Sequence, residues 1–148
     1  MPALLDHIDP NGLQEFSVVF TDRSLNHMSK EFQQVMCDLS SNLKEVYNAN
    51  AVVLVPGGGT FAMEAVARQF GIDASVLVIR NGWFSYRWSQ IFESSANARA
   101  TAVVKARMVG NEAVAPFRPA DVDDVIEKIK EEKPNIVFAP HVETSAGV

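Results

Sequence analysis

Residues 51–70 read AVVLVPGGGTFAMEAVARQF. The apolar run Ala51–Val55 predicts a buried strand, Gly57–Thr60 predicts a tight turn, and the spacing of the apolar residues that follow predicts a helix over Thr60–Phe70. A strand, a glycine turn and a helix in this order present backbone N–H groups and the positive end of the helix dipole to an anion, usually a phosphate. We therefore take this turn as the first candidate binding site.

Strands and helices continue to alternate after this segment. The pattern predicts strands at Ser75–Ile79, Thr101–Lys105 and Ile136–Ala139, and helices at Trp83–Ser94 and Ala120–Lys133. Each strand is a short, continuous apolar run, which is typical of strands buried on both faces. Alternating strands and helices imply right-handed crossovers and a parallel sheet, so the predicted fold class is α/β with a mainly parallel sheet.

The sequence before residue 51 has a different pattern. Residues 1–26 are interpreted as an irregular N-terminal arm. From His27 to Asn48 apolar residues recur at spacings of three and four, which predicts a long helix with Ser29 or Asn26 as its cap.

Composition limits the classes of partner. The chain has 148 residues and a net charge of −5, which argues against a general nucleic-acid or anionic-membrane binder. No apolar run approaches the ~20 residues that span a bilayer. The single cysteine, Cys37, excludes an internal disulfide framework and fits a reducing cytoplasm. We expect a cytoplasmic protein with no nucleic-acid or membrane partner.

Three loops follow strands of the predicted sheet: Pro56–Thr60, Arg80–Phe84 and Pro140–Gly147. Because the carboxyl ends of parallel strands meet at one edge, these loops are expected to share a site. His141 and Glu143 are too few ligands for a metal ion, so no metal site is predicted.

The glycine turn alone leaves alternatives open. Tight turns often need glycine for structural reasons only. A Walker loop is excluded because no Gly-Lys-Ser/Thr follows. Gly57, Gly59 and Ala62 fit the glycine pattern of a dinucleotide-binding turn, but Arg80 and Asn81 stand where its acidic residue is expected.

Four segments together resemble class V aminotransferases, the alanine–glyoxylate and serine–pyruvate type of pyridoxal phosphate enzymes of fold type I. In chain order they read NHMSKEF at 26–32, GGGTFAMEA at 57–65, NGWFSYR at 81–87 and HVETSAGV at 141–148. The resemblance implies that residues 27–148 are the N-terminal part of a three-layer large domain, which would be incomplete. It also implies a homodimer that moves an amino group between an amino acid and a 2-oxo acid such as glyoxylate or pyruvate.

The resemblance assigns six cofactor-binding residues: Gly58, Gly59, Thr60, Phe84, Thr144 and Ser145. The three residues of the turn would donate hydrogen bonds to the phosphate of pyridoxal 5′-phosphate. The phenyl ring would stack on the pyridine ring, and the two hydroxyl groups after the last strand would bond near its 3-oxygen.

Some features of the family differ or are absent. Ser85 stands where the family commonly has glycine, and Ala146 stands where it commonly has threonine. The N-terminal arm lacks the family's Gly-Pro-Gly-Pro segment. In the family, the lysine that binds the cofactor aldehyde and the acidic partner of the ring nitrogen both come later than the fourth segment. No catalytic residue is therefore assigned, and we expect the 148-residue chain alone to be inactive.

Two further hypotheses use the same residues. The chain is a non-catalytic nucleotide- or phosphate-binding α/β module in the first, and a non-enzymatic remnant with vestigial loops in the second. Ligand binding distinguishes the three hypotheses. The aminotransferase part would bind pyridoxal phosphate, the binding module would bind NADP, and the remnant would bind no cofactor saturably.

Overall fold

The computed structural model describes residues 27–147. The predicted arm at residues 1–26 lies outside the described residues. The chain divides between Leu54 and Val55 into two units, and each is described by itself.

The first unit contains helix α1, Lys30–Tyr47, which confirms the helix predicted from apolar spacing. Its cap is Ser29, whose Oγ accepts a hydrogen bond from Phe32 N at 3.1 Å. Asn48 ends the helix in the left-handed conformation, with φ 47°.

The prediction of a strand at Ala51–Val55 is wrong. Residues 51–55 have no strand structure, and Val53 is 82% exposed. An apolar run becomes a strand only where a neighbouring strand satisfies its backbone N–H and C=O groups. In the described part of the chain, the sheet is built from other segments, and residues 51–55 pair with none of them.

The second unit follows the predicted alternation closely. Its elements are α2 (Gly59–Phe70), β1 (Ser75–Arg80), α3 (Trp83–Ser95), β2 (Ala100–Lys105), β3 (Arg107–Met108), β4 (Phe117–Arg118), α4 (Val122–Glu132) and β5 (Ile136–Phe138). The short strands β3 and β4 form an antiparallel pair that the sequence did not predict. Among residues 27–147, no helix is both long and apolar enough to cross a membrane.

The main sheet is parallel, with strand order β2-β1-β5. The connection from β1 to β2 and the connection from β2 to β5 run in opposite directions across the sheet. Right-handed crossovers therefore place α3 and α4 on opposite faces. Leu77 points away from its neighbours Val76 and Val78, and all three are fully buried, as expected for a strand covered on both faces. The predicted α/β class with a parallel sheet is confirmed.

The core on the α3 side is made of aliphatic and aromatic side chains. Ala67, Val76, Val78, Phe92 and Phe138 belong to one buried cluster, which Ala74 and Ile91 complete. The ring of Phe138 lies 5.0 Å from that of Phe92 and 4.6 Å from that of Trp88, between ring centroids. Burial of each large side chain contributes about 1.5–3 kcal/mol. This cluster fixes α3 on the sheet and so fixes the loop that precedes α3.

Candidate functional site

The glycine turn opens the first turn of α2. Gly57 has φ +125°, and a Cβ there would lie 2.6 Å from Phe61 Cδ2, so this position requires glycine. Gly58 is the N-cap and provides no side-chain cap. A Cβ at Gly58 or Gly59 would meet nothing within 4 Å. The first hydrogen bond of the helix runs from Phe61 N to Gly58 O at 2.9 Å, so the N–H groups of Gly59 and Thr60 have no partner within the helix.

A cation lies beside this turn. Arg87, on α3, donates from Nη1 to Thr60 Oγ1 at 3.0 Å. The Arg87 Nε is buried and, among the described residues, has no hydrogen-bond partner. A buried donor of this kind needs an acceptor. Guanidinium charge, a hydroxyl group and the positive end of α2 therefore converge at one place, and together they suit a phosphate group.

Sequence reasoning did not assign Arg87 to the site. The signal that could have found it is its helical spacing: Arg87 lies three residues after Phe84 on α3, so both side chains occupy one face of the helix.

A cavity of about 450 Å³ connects these residues with the loop that follows β5. Gly59 and Thr60 form one side of it, Phe84 and Trp88 form another, and His141 belongs to a third. Met63, Ala139, Pro140 and Val142 complete the lining. Residues of all three predicted loops therefore line one cavity, and three of the six predicted cofactor ligands are among them. Their binding of a cofactor stays a prediction.

The structure places the other predicted ligands differently. Gly58 is the N-cap of α2 and precedes Gly59, but it does not belong to the lining of the cavity. Ser145 lines a neighbouring cavity, where its Oγ accepts a hydrogen bond from Trp83 N at 2.8 Å. Thr144 is exposed and belongs to the lining of neither cavity. The assignment of Thr144 and Ser145 to the ring oxygen stays a prediction.

Glu143 joins the loop after β5 to the start of α3. Its side chain is 1% exposed and accepts hydrogen bonds from Phe84 N at 3.0 Å and from Ser85 N at 2.8 Å. The hydroxyl groups of Ser85 and Ser145 also donate to its two carboxylate oxygens. A carboxylate at a helix N-terminus is favoured by the helix dipole as well as by these donors.

The protonation state of Glu143 follows from these contacts. Burial of the carboxylate acts to raise its pKa, while the hydrogen bonds from Ser145, Ser85 and the Phe84 backbone lower it, and the net result is a pKa of about 2. Glu143 is therefore ionised at neutral pH. Because its oxygens face the start of α3, its role is to hold Phe84 and the loop before it in place.

Gly82 makes this arrangement possible. A Cβ at Gly82 would lie 2.6 Å from Ser145 Oγ and 2.7 Å from Glu143 Cγ. The backbone is extended there, with φ −178°, so the requirement for glycine is steric. Ser85 adds to the turn, since its Oγ accepts hydrogen bonds from Asn81 N at 2.8 Å and Gly82 N at 2.9 Å.

Within residues 27–147, His, Cys, Asp and Glu side chains form no group of three or more that is placed to hold a metal ion.

Comparison with known proteins gives two similarities. Over 126 residues, the chain is 29% identical to the small subunit of a soluble hydrogenase from Synechococcus sp. (strain PCC 6716), covering 84% of the chain and 31% of that protein. Over 129 residues, it is 29% identical to alanine–glyoxylate aminotransferase from Rattus norvegicus, covering 85% of the chain and 29% of that protein.

No protein-family model matches the chain. The chain spans about three-tenths of the length of the two curated relatives. Most of the chain is therefore similar, at low identity, to part of an aminotransferase and to part of a hydrogenase subunit.

Proposed function

We propose that this chain is part of a pyridoxal-phosphate-dependent aminotransferase of class V, and that the cavity between α2, α3 and the loop after β5 holds the cofactor. The observation that carries the proposal is that the start of α2 and Phe84 line this cavity together, while Arg87 binds the hydroxyl group of Thr60 at its edge. The similarity to alanine–glyoxylate aminotransferase supports it.

The residues fit the two ends of the cofactor. The N–H groups of Gly58 and Gly59, the Thr60 hydroxyl and the Arg87 guanidinium would bind the phosphate. Phe84 is 42% exposed and offers a ring face for the pyridine ring. When bound, the cofactor would supply the electron sink that lets an amino group move between an amino acid and a 2-oxo acid.

We base the proposal on the aminotransferase rather than on the hydrogenase subunit because the lining of the cavity suits a phosphate at one side and a flat heterocycle at the other. Its polar side is the start of a helix beside a cation, which suits a phosphate. Its other side carries two aromatic rings, Phe84 and Trp88, which suit a flat heterocycle.

We also propose that the protein forms a homodimer, that it is cytoplasmic, and that its amino acceptor is glyoxylate or pyruvate. These three rest on the resemblance to the family and on the single cysteine of the chain.

Calorimetric titration of the 148-residue chain with pyridoxamine 5′-phosphate tests the proposal. This form of the cofactor has no aldehyde and so does not react with surface lysines. We expect saturable binding that pyridoxamine, which lacks the phosphate, does not reproduce. Thr60→Val removes one phosphate donor and should weaken binding about tenfold. Thr101→Val is the matched control, since Thr101 is exposed on β2, and it should leave binding unchanged.

Two results would contradict the proposal. Equal affinity for pyridoxamine and its phosphate would show that the turn does not bind the phosphate. Tight NADP binding without binding of pyridoxamine phosphate would instead favour the nucleotide-binding module.

A further inference from the structure

A second cavity of about 450 Å³ lies at the carboxyl ends of β1 and β2. The loop Asn81–Trp83, the short strand β4 and the Ser145 region complete its lining. Trp83 belongs to this cavity, whereas the next residue, Phe84, belongs to the cavity proposed for the cofactor. The two cavities are therefore separate, and the start of α3 lies between them.

Two cations, Arg80 and Lys105, line this cavity. Arg80 and Lys105 are register partners at the ends of adjacent parallel strands, so their side chains leave the same face of the sheet. Neither forms an ion pair with a carboxylate in the part of the chain that the structure describes. Neighbouring like charges repel, and a bound anion removes that repulsion. A guanidinium beside an ammonium suits a carboxylate.

The guanidinium is held in place by an aromatic ring. Arg80 Cζ lies 4.9 Å from the centroid of the Tyr86 ring, and that ring lies 5.9 Å from the Trp83 ring. Arg80 is therefore fixed at one wall of the cavity by a cation–π contact, which lowers the entropy lost when an anion binds.

The rest of the lining is apolar. Trp83 is 58% exposed and Phe117 is 63% exposed, and both rings line the cavity together with Ala106 and Ala146. Exposed rings beside a charged end suit a ligand with an apolar body. The volume of the cavity is in the range of small-molecule sites.

We propose that this second cavity binds a small carboxylic acid that has an aromatic body. The carboxylate pairs with Arg80 and Lys105, and the aromatic body packs on Trp83 and Phe117. This site does not depend on the cofactor proposal.

The two tryptophans of the chain distinguish the two cavities, because Trp83 lines this one and Trp88 lines the other. Titration of the ¹⁵N-labelled chain with L-3-phenyllactate, followed by NMR of the indole N–H groups, is the test. Trp83→Phe and Trp88→Phe assign the two signals. We expect a saturable shift of the Trp83 signal and weaker binding of 3-phenyl-1,2-propanediol, which has the same ring and hydroxyl group but no carboxylate.

Lys105→Met should weaken phenyllactate binding about tenfold, because it removes one charge-assisted hydrogen bond. Lys130→Met, an exposed site on α4, makes the same charge change away from the cavity and should have no effect. The proposal is overturned if the Trp83 signal does not shift saturably at millimolar phenyllactate, if Lys105→Met binds as tightly as the unchanged chain, or if 3-phenyl-1,2-propanediol binds equally well.

Discussion

Glu143 accepts hydrogen bonds from both the backbone N–H and the hydroxyl of Ser85, a residue 58 positions earlier in the chain. This contact joins the loop after β5 to the start of α3. It also uses a residue at which the chain differs from class V aminotransferases, since the family commonly has glycine at the position of Ser85. The hydroxyl group of Ser85 thus adds a donor to Glu143 that a glycine does not provide.

Replacement of Glu143 by glutamine tests the importance of the ionised carboxylate. The glutamine side chain would keep one acceptor oxygen but turn an NH₂ group toward donors that need an acceptor. We expect Glu143→Gln to reduce the free energy of unfolding by about 1–3 kcal/mol, measured by urea denaturation. Glu112→Gln is the control, because Glu112 is exposed in a loop. Equal stability of the two variants would show that the carboxylate adds nothing to the fold.

The low pKa of Glu143 also predicts how stability depends on pH. The pKa falls from 4.5 to about 2 on folding, so the stabilisation is complete above pH 4.5 and is lost as the pH falls through 2. The full contribution is on the order of 3 kcal/mol. The free energies of unfolding of the unchanged chain and of Glu143→Gln should therefore approach each other as the pH falls from 4.5 to 2. A difference that stays constant over this range would contradict the assigned pKa.

Gly82→Ala should separate the two loops. The new methyl group would overlap Ser145 Oγ and the Glu143 side chain, which lies against the start of α3. We expect a loss of about 1–3 kcal/mol in the free energy of unfolding. Thermal unfolding measures this loss, and a melting temperature equal to that of the unchanged chain would mean that Glu143 can withdraw at no cost.

Gly59→Ala should change stability and binding in opposite directions. Gly59 is the first residue of α2 and a Cβ there meets nothing within 4 Å, so alanine should stabilise the helix by about 0.5–1 kcal/mol. The same methyl group would occupy open space at the cavity and should weaken binding of pyridoxamine 5′-phosphate. Urea denaturation and calorimetry on one preparation check both effects. Tighter binding would show that the phosphate does not approach this residue.

Local patterns in the sequence were enough to predict most of the secondary structure. The sequence predicted the helix at Lys30–Tyr47 from apolar residues at spacings of three and four, and the strand at Ser75–Arg80 from a short continuous apolar run. The run at Ala51–Val55 failed because its pattern cannot say whether a neighbouring strand exists. The β3–β4 pair was missed because each strand has two residues, too few for a pattern.

The candidate site was predicted in part, from the resemblance to a family and from the loops that follow the strands. Gly59, Thr60 and Phe84, which the resemblance assigned to the cofactor, line one cavity. The role of Glu143 depends on its contacts with Ser85 and Phe84, which lie 58 and 59 positions earlier in the chain. No local pattern in the sequence predicts such distant contacts. Ser145 was assigned to a ligand from its position in a motif, yet its hydroxyl group bonds to the Glu143 carboxylate and the Trp83 backbone.

The most direct test of the central claim is to follow the backbone amide signals of Gly58, Gly59 and Thr60 by NMR while pyridoxamine 5′-phosphate is added. If the start of α2 holds the cofactor phosphate, these three signals shift saturably with a single dissociation constant, and pyridoxamine without the phosphate leaves them unchanged. If the three signals do not move, or move equally with pyridoxamine, the turn does not bind the phosphate and the proposed cofactor site is wrong.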